Sequence, residues 1–176
     1  SSDTSSDITD INSAGIPLSA GVPESQFATA VASGVNIESN SNVTLDYSNT
    51  VDGYVMIKYL GSKQKVKTQI TGPSGVTYTY NQSLTGDYDV FTFSDGSGNY
   101  NIRVYENTTG TSYTTAFSFS VDVALKDEFA PFLRSNKYVN YTTTSKVVAK
   151  AAELCNGKKT TNEKIDAVYE FVVKGF

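Results

Sequence analysis

The chain is predicted to be mostly β: an immunoglobulin-like antiparallel sandwich of about seven strands, followed by a C-terminal αα-hairpin. Three observations lead there. Between about Val35 and Leu125 the apolar residues recur with a period of two, in short runs separated by Gly-, Asn-, Asp- and Ser-rich turns. The composition favours strands and turns: 12 tyrosines, no tryptophan, and abundant Thr, Ser, Asn and Gly with little Leu. Past residue 143 the period changes from two to that of a helix.

Residues 1–34 are small and polar at most positions, a composition that buries almost nothing, and are expected to form a flexible segment. The sandwich is assigned to 35–125. Val43 and Leu45 flank Thr44 in a first short strand. Val55, Ile57 and Tyr59 alternate with Met56 and Lys58, and Val66, Thr68 and Ile70 with Lys65, Lys67 and Gln69. Gly72-Pro73-Ser74-Gly75 is a strong turn, since Pro73 presets its φ and glycine tolerates positive φ. Val76, Tyr78 and Tyr80 resume the alternation beyond it, which predicts a hairpin. Phe91 and Phe93 share one face of the next strand. Tyr100–Tyr105 follows a Gly-rich turn, and in the last run Phe117, Phe119, Val121 and Val123 face inward against Ser118, Ser120 and Asp122. The Cys–Trp–Cys signature of antibody domains is missing, so only the architecture is inferred.

Residues 126–143 read as a connector. Pro131 forbids a regular helix there, while Phe129, Phe132, Leu133, Tyr138, Val139 and Tyr141 are too apolar for a free linker, so the segment should pack along the sandwich. Residues 144–176 read as two helices. Val148, Ala151, Ala152 and Cys155 form one face of the first, with Thr144 or Ser145 at its start and Asn156-Gly157 at its end. Thr160 and Glu163 make a capping box for the second. Its apolar stripe, Ile165, Val168, Tyr169, Val172 and Val173, runs almost to Phe176 and reads as the opening of a second domain.

Charge and composition bear on function by exclusion. Residues 1–125 carry a net charge of −7 and residues 126–176 one of +3, giving the −4 of the chain. An acidic body argues against nucleic acid, whose phosphates reward clustered Lys and Arg. Lys146, Lys150, Lys164 and Lys174 read as solvated helix surface. No run approaches the ~20 apolar residues that cross a bilayer, and no charged-then-apolar leader is present. The chain is therefore expected to start after any signal segment. Asn-x-Ser/Thr sequons begin at Asn42, Asn81, Asn107 and Asn140, as expected by chance in so Asn- and Thr-rich a chain.

Catalytic chemistry finds few candidates. Histidine is absent and Cys155 is the single cysteine. A thiolate needs a base, and the C-terminal end of a helix disfavours it, so Cys155 reads as structural. Zinc and iron sites want His and Cys clusters. Asp87, Asp89 and Asp95 lie in or beside a Gly-rich turn without the spacing of an EF-hand, and turn chemistry accounts for them. Tyr54, Tyr78, Tyr80, Tyr88, Tyr100, Tyr105 and Tyr113 could supply a stacking platform for sugars, although cross-strand pairing on a half-exposed sheet explains most of them. No catalytic, cofactor-binding or metal-ligating residue is assigned, and no cofactor is expected.

Two segments carry a family resemblance. One is Gly96-Ser97-Gly98-Asn99-Tyr100-Asn101-Ile102-Arg103-Val104-Tyr105-Glu106-Asn107, with Phe129–Val139 after it. The other runs from Ser145-Lys146-Val147-Val148-Ala149-Lys150 through Glu163-Lys164-Ile165-Asp166-Ala167-Val168-Tyr169-Glu170-Phe171-Val172-Val173-Lys174. Over roughly residues 50–176 the chain resembles the N-terminal, non-catalytic region of secreted bacterial transglutaminase-like proteins of the cysteine-protease-related superfamily. The resemblance implies that a Cys–His–Asp core follows the two helices, in a parent acting as a cysteine peptidase or acyltransferase. Cys155 precedes the last lead-in helix and does not match the nucleophile's position. The fragment itself is then expected to be a non-enzymatic accessory module partnered by a downstream catalytic domain of the same polypeptide. Its expected location is the cell surface or the exterior, exported and lipid-anchored upstream. The alternative is an adhesion or glycan/protein-binding sandwich at the cell surface.

Overall fold

The computed structural model describes residues 29–139, 141 and 145–174. Most of the expected polar segment, Thr144 as a cap, the sequon at Asn140 and Phe176 lie outside these residues. The described chain forms two units, one containing residues 29–139 and the other the two helices.

The first unit is a β-sandwich of two four-stranded antiparallel sheets. Its strands are β1 (Ile37–Ser39), β2 (Val43–Asp46), β3 (Tyr54–Tyr59), β4 (Val66–Thr71), β5 (Thr77–Asn81), β6 (Asp89–Thr92), β7 (Gly98–Thr109) and β8 (Ser112–Val123). The first sheet has the order β1-β2-β3-β6 and the second β5-β4-β7-β8. The strand beyond the expected seven is β1, three exposed residues whose lack of an apolar face removes any periodic signal. Another departure is the length of β7 and β8. Asn107, beyond the Tyr100–Tyr105 run read from the sequence, pairs with Tyr113, and the reversal is confined to Gly110 and Thr111.

Inward-facing residues of both sheets build one core: Val43, Leu45, Val55, Ile57 and Tyr59 meet Val66, Ile70, Tyr100, Ile102, Val104 and Phe117, with Phe91 and Phe93 between them. Burying such side chains contributes roughly 2 kcal/mol each. The β4 pattern alternates strictly, as its sequence predicts.

β3 does not alternate. Tyr54, Val55, Met56 and Ile57 are all buried, although Met56 was expected to face out. The outer face of this sheet is covered by the chain on either side of the sandwich. Tyr54 exchanges hydrogen bonds with the Val31 backbone at 3.2 Å, and the Arg134 guanidinium lies 5.2 Å from the centre of its ring. Asp46, buried on the same face, accepts from Gly34 N–H at 2.7 Å and Ser48 N–H at 3.0 Å. Ala130 and Pro131 are buried as well. Gly53 adopts φ +82°, and a Cβ there would fall 2.6 Å from the Pro131 ring, so glycine serves both the turn and the close approach.

A carboxyl group is also buried among the core side chains, that of Glu106. Glu106 has the same strand parity as Ile102 and Val104 and therefore points inward from β7. It accepts from the Tyr59 hydroxyl at 2.7 Å and from Asn42 Nδ2 at 2.8 Å, linking the two sheets. Burial, followed by the bond to Glu106, raises the Tyr59 phenol above its ordinary 10.0.

In the second unit α1 (Lys146–Cys155) and α2 (Thr161–Lys174) form the expected hairpin. Ser145 is the N-cap and Asn156 the C-cap of α1, and Gly157 takes φ +74°. The capping box is present: Glu163 Oε2 accepts from Thr160 N–H at 2.9 Å, and Thr160 Oγ1 from Glu163 N–H at 3.2 Å. These bonds hold the Glu163 carboxyl below its usual range. The buried side chains of α1 are Ala149 and Ala152, not Ala151, which is exposed. On α2 the least exposed positions are Lys164, Ala167 and Phe171, while the predicted stripe is solvent-facing. A single neighbouring helix covers only a narrow line of residues, and that line is set by Ala167 and Phe171.

Replacing Glu106 by Ala leaves the Tyr59 hydroxyl and the Asn42 amide without their acceptor, and should cost about 2 kcal/mol in urea unfolding; Glu106→Gln, which keeps an acceptor oxygen, should cost less. A second expectation concerns Tyr100, whose burial pushes its phenol up from 10.0 to about 12. The folded state keeps this proton where an unfolded tyrosine has begun to lose it. The resulting stability is complete below pH 10 and is lost as pH rises through about 12. The urea midpoint should fall across that window, and Tyr100→Phe should flatten the fall.

Candidate functional site

The densest polar constellation lies where the chain crosses from β5 to β6. Gln82 and Ser83 follow β5, and Asp89 opens β6. Thr68 Oγ1 donates to Gln82 Oε1 at 2.7 Å, and Gln82 Nε2 donates to the Ile57 carbonyl at 3.1 Å and to Asp89 Oδ2 at 3.0 Å. Asp89 also accepts from Ser83 N–H at 2.7 Å and Ser83 Oγ at 2.8 Å. The Lys137 ammonium completes the set, 2.9 Å from both Asp89 oxygens and 2.6 Å from Ser83 Oγ. Strands of both sheets and the connector are thereby joined at one carboxylate.

A Ser–Lys pair at this distance invites comparison with nucleophilic dyads. There the amine must be neutral, so that its lone pair takes the serine proton. Here the ammonium is ion-paired with Asp89 and the serine hydroxyl donates to the same carboxylate, so neither group is poised for attack. The arrangement is a clamp. It anchors a tight turn in the connector, where Lys137 N–H donates to the Val90 carbonyl at 2.9 Å and Asn136 Oδ1 accepts from the N–H groups of Tyr138 and Val139 at 2.9 Å. Beside the clamp lies a hollow of about 430 Å³ lined by Ser83, Tyr88, Asp89, Asn136 and Lys137, among others.

Next to this turn the tyrosines gather. Tyr80 packs on Phe91 with ring centroids 5.1 Å apart and stacks with Tyr138 at 5.4 Å and an interplanar angle of 29°. Tyr78 lies 6.5 Å from Tyr80. Tyr80 is partly buried, whereas Tyr78 keeps 48 % and Tyr138 63 % of its surface exposed. Burial raises the Tyr80 phenol above 10.0, with further contributions from Tyr78 and Tyr138.

The candidates singled out in the sequence scatter. Tyr54 and Tyr100 are buried, Tyr88 takes the Lys58 ammonium 4.8 Å from its ring centre, and Tyr113 takes that of Lys67 at 4.9 Å. Of the seven tyrosines named from the sequence, the structure brings Tyr78 and Tyr80 into one cluster. Its third member, Tyr138, belongs to the connector and was read only as an apolar residue. Asp89 is committed to the clamp. Asp95 caps the Gly72–Gly75 turn, accepting from Ser74 N–H at 2.8 Å, and the bonds from Ser74 lower its carboxyl below the usual range. Among the described residues no group of three His, Cys, Asp or Glu side chains could hold a metal ion. Cys155 is a partly buried free thiol at the C-terminal end of α1. At two of the sequons the asparagine side chain is engaged, Asn42 with Glu106 and Asn107 with the Gly110 and Ser112 carbonyls.

No family model matches the chain, and no curated protein matches it either. Among solved structures it is similar to a computationally redesigned β-sandwich protein, at 10 % identity and a TM-score of 0.36, over 52 % of this chain and 94 % of that one. Among the described residues no helix is long and apolar enough to cross a membrane. The β-sandwich fold is compatible with a non-catalytic role.

The clamp makes unequal substitutions. Asp89→Ala strands the ammonium of Lys137 and the amide of Gln82 and should cost about 3 kcal/mol. Lys137→Met should cost distinctly less, because Asp89 retains the Gln82 and Ser83 donors. Equal urea midpoints for the two variants would contradict this account.

Proposed function

We propose that this chain is a non-catalytic accessory module of an exported bacterial polypeptide, whose sandwich and helix pair position a transglutaminase-like catalytic core. The observation that carries the reading is the exposed stripe of α2. Ile165, Val168, Tyr169, Val172 and Val173 are each between 37 % and 65 % exposed, aligned on one face of a capped helix. Five aligned apolar side chains left in water are typical of a surface that another folded element covers. The occupant we assign is the thiol-dependent domain that the helix motifs suggest by resemblance. Chemistry within the chain supports a division of labour: Cys155 has no imidazole to activate it, since the sequence contains no histidine. The hollow beside α2, about 650 Å³, is lined by Leu154, Ala167 and Phe171 with charged residues around them. Among the described residues its lining brings no Cys–His or Ser–His pair suited to acyl transfer.

Two measurements test the proposal. Purified protein incubated with a glutamine-containing peptide and an amine should release no ammonia and form no cross-link; turnover by the chain alone would overturn the non-catalytic assignment. The reading frame of the gene beyond codon 176 should encode, within about 100 residues, a cysteine followed by histidine and aspartate. A frame lacking them would remove the assigned occupant of the α2 stripe.

A further inference from the structure

We propose that the tyrosine ledge formed by Tyr78, Tyr80 and Tyr138 is a carbohydrate-binding site that takes a neutral pyranose ring flat against its exposed aromatic faces. This goes beyond the accessory role and does not depend on it.

Edge sealing accounts for Tyr80, which fills the space beside Phe91 and Thr68. It does not account for two further rings that stay in water. Exposed apolar surface is ordinary when scattered singly. Here two such rings flank a third within 6.5 Å, and the outermost rests on Tyr80 from an anchored backbone. The Tyr138 backbone is held by Asn136, and the preceding Lys137 is held by both Val90 and Asp89. A ring immobilised before binding loses little conformational entropy on meeting a ligand.

The geometry and charge select the ligand class. With stacked centroids 5.4 Å apart, nothing can enter between Tyr80 and Tyr138, so a ligand must lie on the outer faces. That disfavours a proline-rich peptide, which docks its ridges into slots between aromatic rings. Lys137, the residue preceding Tyr138, is neutralised by Asp89. Together with the net charge of −4 this disfavours a polyanion such as single-stranded nucleic acid. A neutral sugar suits what remains: apolar C–H faces for the rings, and hydroxyls for the phenols of Tyr78 and Tyr138. Asn136, whose Oδ1 holds the turn, lines the hollow beside the clamp and brings its amide NH2 as a further donor.

The test is amide and side-chain NMR of the whole chain titrated with cellohexaose, xylohexaose and chitohexaose, with a proline-rich decapeptide as a fourth probe. At least one hexasaccharide should give saturable shifts centred on residues 78, 80 and 138, with a dissociation constant on the order of 1 mM or below. Tyr138→Ala and Tyr78→Ala should weaken it tenfold or more, Tyr138→Phe should retain stacking and most of the affinity, and Tyr113→Ala should leave it unchanged. If an alanine variant fails to fold, the shift map of the unmodified chain decides, since shifts centred elsewhere overturn the proposal. So do the absence of saturation by all three sugars, binding that survives both alanine variants in folded protein, and ledge shifts produced by the peptide instead of the sugars.

Discussion

The carboxylate of Asp89 is the point on which the edge of this sandwich depends. A partly buried acceptor of that kind is costly unless its lone pairs are filled, and here they are filled by Gln82, Ser83 and Lys137. Each donor brings a different piece of chain. Gln82 ties in β4 through Thr68 and β3 through the Ile57 carbonyl. Ser83 sets the crossing between sheets, and Lys137 fastens the connector. Hydrophobic burial supplies most of the stability of a two-sheet core, but it does not dictate where the connecting segments lie. Directional bonds to one anion do.

The two sheets consequently have different outer faces. The sheet containing β3 is covered on its far side by residues 31–36 and by the connector around Pro131 and Arg134, so β3 is buried on both faces. On the sheet containing β7, Asn101, Arg103, Ser118 and Ser120 remain exposed. A strand buried on both faces reads as a continuous apolar run and a half-buried one as an alternation. Both signatures occur here, in β3 and in β4.

That contrast explains what was legible beforehand. β4 carries a clean period of two and was placed correctly, and the inner faces of β7 and β8 were read correctly although both strands run longer than read; the Gly72–Gly75 turn and the Thr160–Glu163 capping box, each a local signal, are present as expected. β1 escaped because three exposed residues have no face to declare. Glu106 was readable in principle: its parity with Ile102 and Val104 places it inward, against the usual preference of glutamate. The ledge was not readable, because Tyr80 and Tyr138 stand 58 residues apart in number and meet only through the Lys137 clamp. The face of α1 was misjudged at Ala151 for a different reason. Periodicity reports the width of an apolar stripe, not how much of it a single neighbour can cover.

The clamp also decides how the sandwich bears load. Tension drawn through the backbone just past Val139 meets Lys137, with its grip on Val90 and Asp89, before it can travel back along the connector to Val123. Force therefore enters through β6, whose other edge is paired with β3 in the interior of its sheet. The long terminal strand β8 is spared from being unzipped one hydrogen bond at a time. Mechanical resistance in such a fold is set by how fast the first anchor lets go, and in this protein that anchor is an ion pair in which the lysine side chain is 19 % exposed and the aspartate 11 %.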